Sequence, residues 1–116
     1  MPSVLVVGYD PHAIPGVDAD SLRQSLEAEL ARFAERGIDA AMTLVVFDES
    51  AEATLVASLT SKPWDVVVVG GGIRKAEPLL PLFELTVNLI RRHVPRAAIA
   101  FNTSGGDSVE AAQRWL

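Results

Sequence analysis

The chain has 116 residues, 49% of them hydrophobic, and contains no cysteine. That length suits one domain, 1–116, with a full core, and the missing cysteines exclude disulfides and thiolate metal sites. A formal charge of −5 disfavours broad binding to a phosphate backbone, so no nucleic-acid partner is expected.

The N-terminal stretch Met1-Pro2-Ser3-Val4-Leu5-Val6-Val7-Gly8 has no basic region ahead of its short apolar run. It reads as a strand and not as a signal peptide. No run approaches the ~18–20 apolar residues needed to cross a bilayer, so no membrane partner and a cytoplasmic location are expected.

Residues 3–8 form the first expected strand. The loop Tyr9-Asp10-Pro11-His12-Ala13-Ile14-Pro15-Gly16-Val17 follows, kept irregular by two prolines and a glycine. It is longer than the ~2–6 residues usual between strand and helix. Asp18, Asp20 and Ser21 offer capping oxygens, with Gln24 placed as in a capping box. Leu22, Leu26, Leu30, Phe33 and Ala34 recur at helical spacing, and Gly37 is the expected left-handed stop, giving a helix over 20–36.

Residues 40–47 are the second strand, milder at its start and suited to a sheet edge. Asp48, Glu49 and Ser50 lead into a helix over 51–60 with Leu55, Val56 and Leu59 facing in. The third strand holds Val66-Val67-Val68-Val69. Four consecutive valines cannot alternate between a dry and a wet face, so this is an inner strand covered on both sides. Gly70, Gly71, Gly72, Ile73, Arg74 and Lys75 follow. Pro78 and Pro81 open a third helix running to His93, and Pro95 ends it. Residues 97–102 are a fourth strand, and a final helix spans 108–116, with Asp107 and Ser108 as its caps.

Four strand–helix units in succession indicate an α/β three-layer sandwich with a four-stranded parallel sheet. The natural strand order is 2-1-3-4, flavodoxin/Rossmann-like, with right-handed crossovers. Ligands of such sheets sit beyond the carboxyl ends of the strands where the order reverses, here between strands 1 and 3. The loops at 9–16 and 70–77 would flank that crevice, with 102–108 beside it. The candidate ligand-binding residues are therefore Tyr9, Asp10, His12, Gly70, Gly71, Gly72, Arg74, Lys75, Asn102, Thr103 and Ser104. The glycines would let amides approach an anion that Arg74 and Lys75 neutralise; alternatively, they only turn the chain.

The common fingerprints are missing. There is no GxGxxG after the first strand for NAD or flavin dinucleotide and no GxxxxGK[ST] for ATP. No Gly-x-Ser-x-Gly elbow is present, so a serine hydrolase is not supported. His12 and His93 are the only histidines and fall at opposite ends of the sheet, which leaves no metal site.

Asp10-Pro11-His12-Ala13-Ile14-Pro15-Gly16 resembles the Asp-x-His-x-x-Gly motif of cobalamin-binding domains, where the histidine ligates cobalt. Here the glycine comes one residue late, and no Ser-x-Leu follows an inner strand, so cobalamin is not expected. The order of elements also resembles receiver domains, but the third strand ends in Gly70 with no phosphoacceptor aspartate. Along most of the chain, Gly8-Tyr9-Asp10-Pro11, Asp65-Val66-Val67-Val68-Val69-Gly70-Gly71-Gly72-Ile73-Arg74, Leu82-Phe83-Glu84 and Ala98-Ile99-Ala100-Phe101-Asn102-Thr103 resemble a group of small, stand-alone bacterial Rossmann-like proteins of uncharacterised function. That resemblance implies a free-standing domain and carries over no active-site residue.

The third helix is apolar around more than half its circumference. Leu79, Phe83, Val87, Ile90 and Val94 make one stripe, and Leu82, Leu85 and Leu89 widen it. A helix on a sheet needs only about a 100° stripe, so the surplus points to a homodimer through Leu82, Leu85 and Leu89. Arg91, Arg92 and Arg96 read as a solvated helix end. Three functions follow. The first is a non-catalytic module binding a small anionic ligand or a protein partner at the carboxyl edge of the sheet. The second is a small enzyme acting on a phosphorylated or carboxylated metabolite through Asp10, His12, Arg74 and Asn102. The third is a dimeric scaffold working through the third helix.

Overall fold

The valine run becomes β3 (Val66–Val69), and each of its residues is fully shielded from solvent. A computed structural model describes residues 1–104 and 106–116. β3 lies between β1 (Ser3–Tyr9) and β4 (Ala98–Phe101), with β2 (Asp39–Val45) on the far side of β1. The order is β2-β1-β3-β4 and each neighbouring pair is parallel, as the alternation of strands and helices predicts. The helices are α1 (Ala19–Glu35), α2 (Ala51–Leu59), α3 (Gly71–Arg74), α4 (Leu80–His93) and α5 (Ser108–Gln113).

Both faces of the sheet are covered. On one, Leu5, Val7, Val67 and Val69 meet Leu55 and Leu59 of α2 and Leu82, Leu89 and Ile90 of α4. On the other, Val4, Val6, Val66, Val68 and Ala100 meet Phe33 of α1 and Val109, Ala111 and Ala112 of α5. This is a flavodoxin/Rossmann-like three-layer sandwich.

Local differences from the sequence reading have physical causes. The first helix starts one residue early, because Asp18 Oδ1 accepts from the Ser21 amide at 3.2 Å. Ser21 is therefore inside the helix, and the expected box with Gln24 does not form. Gly37, at φ +71°, does end α1 in the left-handed region. On α1 the leucines Leu22, Leu26 and Leu30 are only half-buried, while Glu29 is buried. Its carboxylate accepts from Arg32 at 2.9 Å and from the Val109 amide at 3.2 Å. A buried carboxylate persists only when partnered. Here it satisfies an amide in the first turn of α5, which has no helical partner of its own. Arg32 also reaches the Gly106 carbonyl at 2.8 Å and Glu110 at 2.5 Å, tying α1 to α5.

After β3 the chain does not run as an open glycine loop. Gly70 O accepts from the Ile73 and Arg74 amides, so Gly71–Arg74 closes one helical turn. A 3-10 turn, Glu77–Leu79, holds Pro78, and Pro81 sits in the first turn of α4. Leu82 and Leu89 point into the core beside the buried Thr86, whose hydroxyl donates to Leu82 O at 2.8 Å; Leu85 is partly buried. Of the residues expected at a homodimer interface, Leu82 and Leu89 are thus buried within this chain's own core and Leu85 is half-buried at its margin, because much of the surplus apolar face is used against α2 and the sheet.

Leu82→Ala should therefore lower unfolding free energy by about 2–5 kcal/mol, the range for a buried leucine. A urea titration showing a change within about 0.5 kcal/mol, as at an exposed position, would contradict that placement.

Candidate functional site

β1 and β3 are neighbours whose following loops diverge, so a crevice opens above their carboxyl ends. Its walls are Tyr9, Ala13, Ile14 and Pro15 on one side and Gly71, Gly72, Ala76 and Leu79 on the other, with Lys75 at the rim; its volume is about 480 Å³. At Gly70 the backbone approaches β1 closely: a Cβ would stand 3.1 Å from the Val7 carbonyl oxygen, a tight contact that would push the two segments slightly apart. Below the crevice a narrower recess of about 110 Å³ reaches Gly8, Leu22, Leu26, Asn102 and Ser108.

The candidate residues divide into groups. Tyr9, Gly71, Gly72 and Lys75 line the crevice, and Gly70, Gly72 and Asn102 line the recess below. Asp10 and His12 stand apart in a depression of about 170 Å³ shared with Arg23 and Leu44. There the His12 amide donates to Asp10 Oδ1 at 3.0 Å, which brings the His12 ring nitrogen Nδ1 to 3.6 Å from the same oxygen. Thr103 and Ser104 line neither cavity; their amides serve Asp107.

The expected anion cradle is filled by the chain itself. The Gly70 amide donates to Val7 O at 2.8 Å, and the Gly71 amide to Asn102 Oδ1 at 3.0 Å. Arg74 donates to Asn102 O and Lys75 Nζ to Thr103 O. The Arg74 guanidinium also lies over the Phe101 ring, 5.6 Å from its centroid, leaving its buried Nε without a partner among the described residues. Arg74 is thus a strut between α3 and β4, and not a wall of the crevice. Lys75 keeps further N–H groups beyond the one given to Thr103.

Asn102 is the joint of this region. It is buried, accepts from Gly71 through Oδ1 and donates through Nδ2 to Ser108 Oγ at 2.9 Å. One amide side chain thereby links β4, α3 and α5. Asp107 is the N-cap residue of α5, as expected, and its carbonyl accepts from the Ala111 amide at 3.0 Å, but its carboxylate turns back to accept from Thr103 Oγ1 at 2.7 Å and from the amides of Thr103 and Ser104. Desolvation pushes this carboxyl up, but those hydrogen bonds outweigh it and hold it below the usual range. Glu110 is held low by its hydrogen bond from Arg32.

The apolar wall residues Ala13, Ile14, Pro15, Ala76 and Leu79 were not among the candidates. The signal that could have found them is an apolar Ala-Ile-Pro run within a loop, where solvent exposure is otherwise expected. A second concavity of about 440 Å³ lies at the opposite, amino edge of the sheet, between Lys62, Trp64, His93 and Arg96. It is on the side where strands begin, away from the reversal point.

Asn102→Leu should lower stability by about 1–3 kcal/mol, since it leaves the Gly71 amide and Ser108 hydroxyl without a partner. Retained stability in a urea titration would contradict the joint. Acid should expose the Arg32–Glu110 pair. Glu110 has a depressed carboxyl, so its contribution is present above the ordinary value of 4.5 and is lost as pH falls through the folded value. The stability gap between wild type and Arg32→Gln should therefore narrow on acidification, read from urea midpoints across the pH range. A gap constant with pH would contradict the assignment.

No protein-family model and no curated protein matches the chain. Among solved structures it is similar to the crystal structure of a fragment of a "putative lipoprotein" from Peptoclostridium difficile 630. The identity is 13% and the TM-score 0.53, over 87% of this chain and 72% of that one. At that identity the likeness is one of fold. Among the described residues no helix is long and apolar enough to cross a membrane.

Proposed function

We propose that the protein is a non-catalytic binding module. It holds a small ligand with an apolar body and one anionic end in the crevice between the β1–α1 loop and α3. The observation that supports this reading is the crevice itself, placed at the reversal of strand order and walled by Ile14, Pro15, Ala76 and Leu79. Its volume lies within the ~300–1,000 Å³ of small-molecule sites. Tyr9 and Lys75 contribute the ionisable side chains of its lining. Lys75 receives the negative end, and Tyr9 offers a ring edge to the apolar body. Gly70 and Gly71 amides are already spent, so a bare phosphate finds little to bind.

Calorimetric titration with aliphatic and aromatic monocarboxylates, and with inorganic phosphate as control, tests the reading. The carboxylates should bind and phosphate alone should not. Lys75→Met should weaken binding about 10-fold, the worth of one charge-assisted hydrogen bond. Ala76→Trp should fill the crevice and abolish binding without loss of fold. Binding unchanged by Ala76→Trp, or no binding by any carboxylate, refutes the assignment.

A second reading is an acid–base step on an anionic substrate in the neighbouring depression. It is favoured by the 3.6 Å approach of Asp10 to His12 Nδ1, with Arg23 on the same wall. Substrate turnover that is lost in His12→Ala and kept in Ala76→Trp would select it.

A further inference from the structure

β4 forms one edge of the sheet, and its outer side carries no strand among the described residues. Ala98 donates its amide to Asp65 O, so the backbone groups of Ala98 and Ala100 face β3. By the alternation of a strand, those of Ile99 and Phe101 face outward. The outward Phe101 oxygen accepts from Arg114 Nη2 at 2.9 Å, which agrees. A carbonyl has a second lone pair, so this contact leaves it able to accept again.

Exposed edges are normally guarded by charge, proline or a bulge. The other edge strand, β2, begins with Asp39, held by Lys62 at 2.8 Å. β4 reads Ala98-Ile99-Ala100-Phe101, with no charged residue and no proline. Phe101 is 39% exposed although it packs edge-to-face on Phe83 at 6.1 Å. Trp115, 60% exposed, directly follows the arginine that reaches this edge.

We propose that β4 is the seam of a two-fold dimer of this chain, in which two β4 edges pair antiparallel with Ile99 opposite Phe101 of the second copy. That register is self-complementary and sets the two outward-bonding residues of each strand against those of the other. A two-fold axis normal to the sheet keeps each face continuous, so paired residues must have the same parity. The outward groups of Ile99 and Phe101 then exchange both hydrogen bonds on each side of the axis, and Ala100 meets its own copy at the centre. Each Phe101 ring covers a β-branched Ile99, a favourable cross-strand pair. Charge agrees as well. Antiparallel pairing brings the start of one β4, preceded by Arg96 in its turn, toward the end of the other, where Asp107 lies in the following turn. The result is one sheet running through both copies, and it uses none of Leu82, Leu85 and Leu89.

Sedimentation equilibrium and amide hydrogen exchange by NMR test this together. The expected result is twice the 12.4 kDa chain mass and slow exchange at Ile99 and Phe101. Those amides exchange quickly on a bare edge. Phe101→Glu, whose carboxylate suits Arg74 in the single chain, should give single-chain mass and fast exchange at Ile99. If that variant fails to fold, Arg96→Glu, at an exposed turn, should raise the dissociation constant by setting like charges together. A single-chain mass for the wild type at high micromolar concentration overturns the proposal. So does a doubled mass with fast exchange at both amides, since the contact would then lie elsewhere.

Discussion

Complete burial of β3 on both faces and both edges is the constraint from which the rest of the molecule follows. Its valines touch α2 and α4 on one side and α1 and α5 on the other, while its backbone is spent on β1 and β4. Burying each such side chain contributes about 1.5–3 kcal/mol, so the strand has no alternative environment of comparable energy. With β3 central, β1 must lie beside it, and the connections must turn away from each other above the pair. The crevice is the space left by that divergence.

What fills the crevice mouth is decided by polar groups that cannot be left unpaired. Asn102 meets the Gly71 amide and the Ser108 hydroxyl in a buried position. Arg74 and Lys75 satisfy the carbonyls of Asn102 and Thr103. These contacts draw α3 toward β4 and turn its cations sideways. The opening that remains is apolar, floored by Gly72 and edged by Tyr9 and Lys75. A stretch of glycine and cation that looks like a phosphate loop in one dimension is, in three, a brace.

The two outer helices show a related economy. α1 buries an acid where an aliphatic residue would ordinarily sit, and Arg32 spreads its donors over Glu29, Gly106 and Glu110. α5 is short and contributes small residues, Ala111 and Ala112, so its position depends on these polar ties as well as on Val109. This face of the sheet is thus held by hydrogen bonds as well as by packing.

The architecture was legible in one dimension. Four valines demand an inner parallel strand, alternating strand and helix patterns demand crossovers, and the order β2-β1-β3-β4 follows with the location of the crevice between the loops at 9–16 and 70–77. These features depend on local pattern and on the handedness of connections, both of which a linear reading contains. The partners of individual side chains were not legible. Asn102 finding Gly71, Glu29 finding Val109, and Arg74 finding the Asn102 carbonyl are contacts between residues distant in sequence, selected by the need to satisfy polar groups that burial isolates. Rotation of α4 is of the same kind. Its apolar residues cover more than half its circumference, so periodicity could not say which leucines face the core. Only packing against α2 and the sheet decided that Leu82 and Leu89 do.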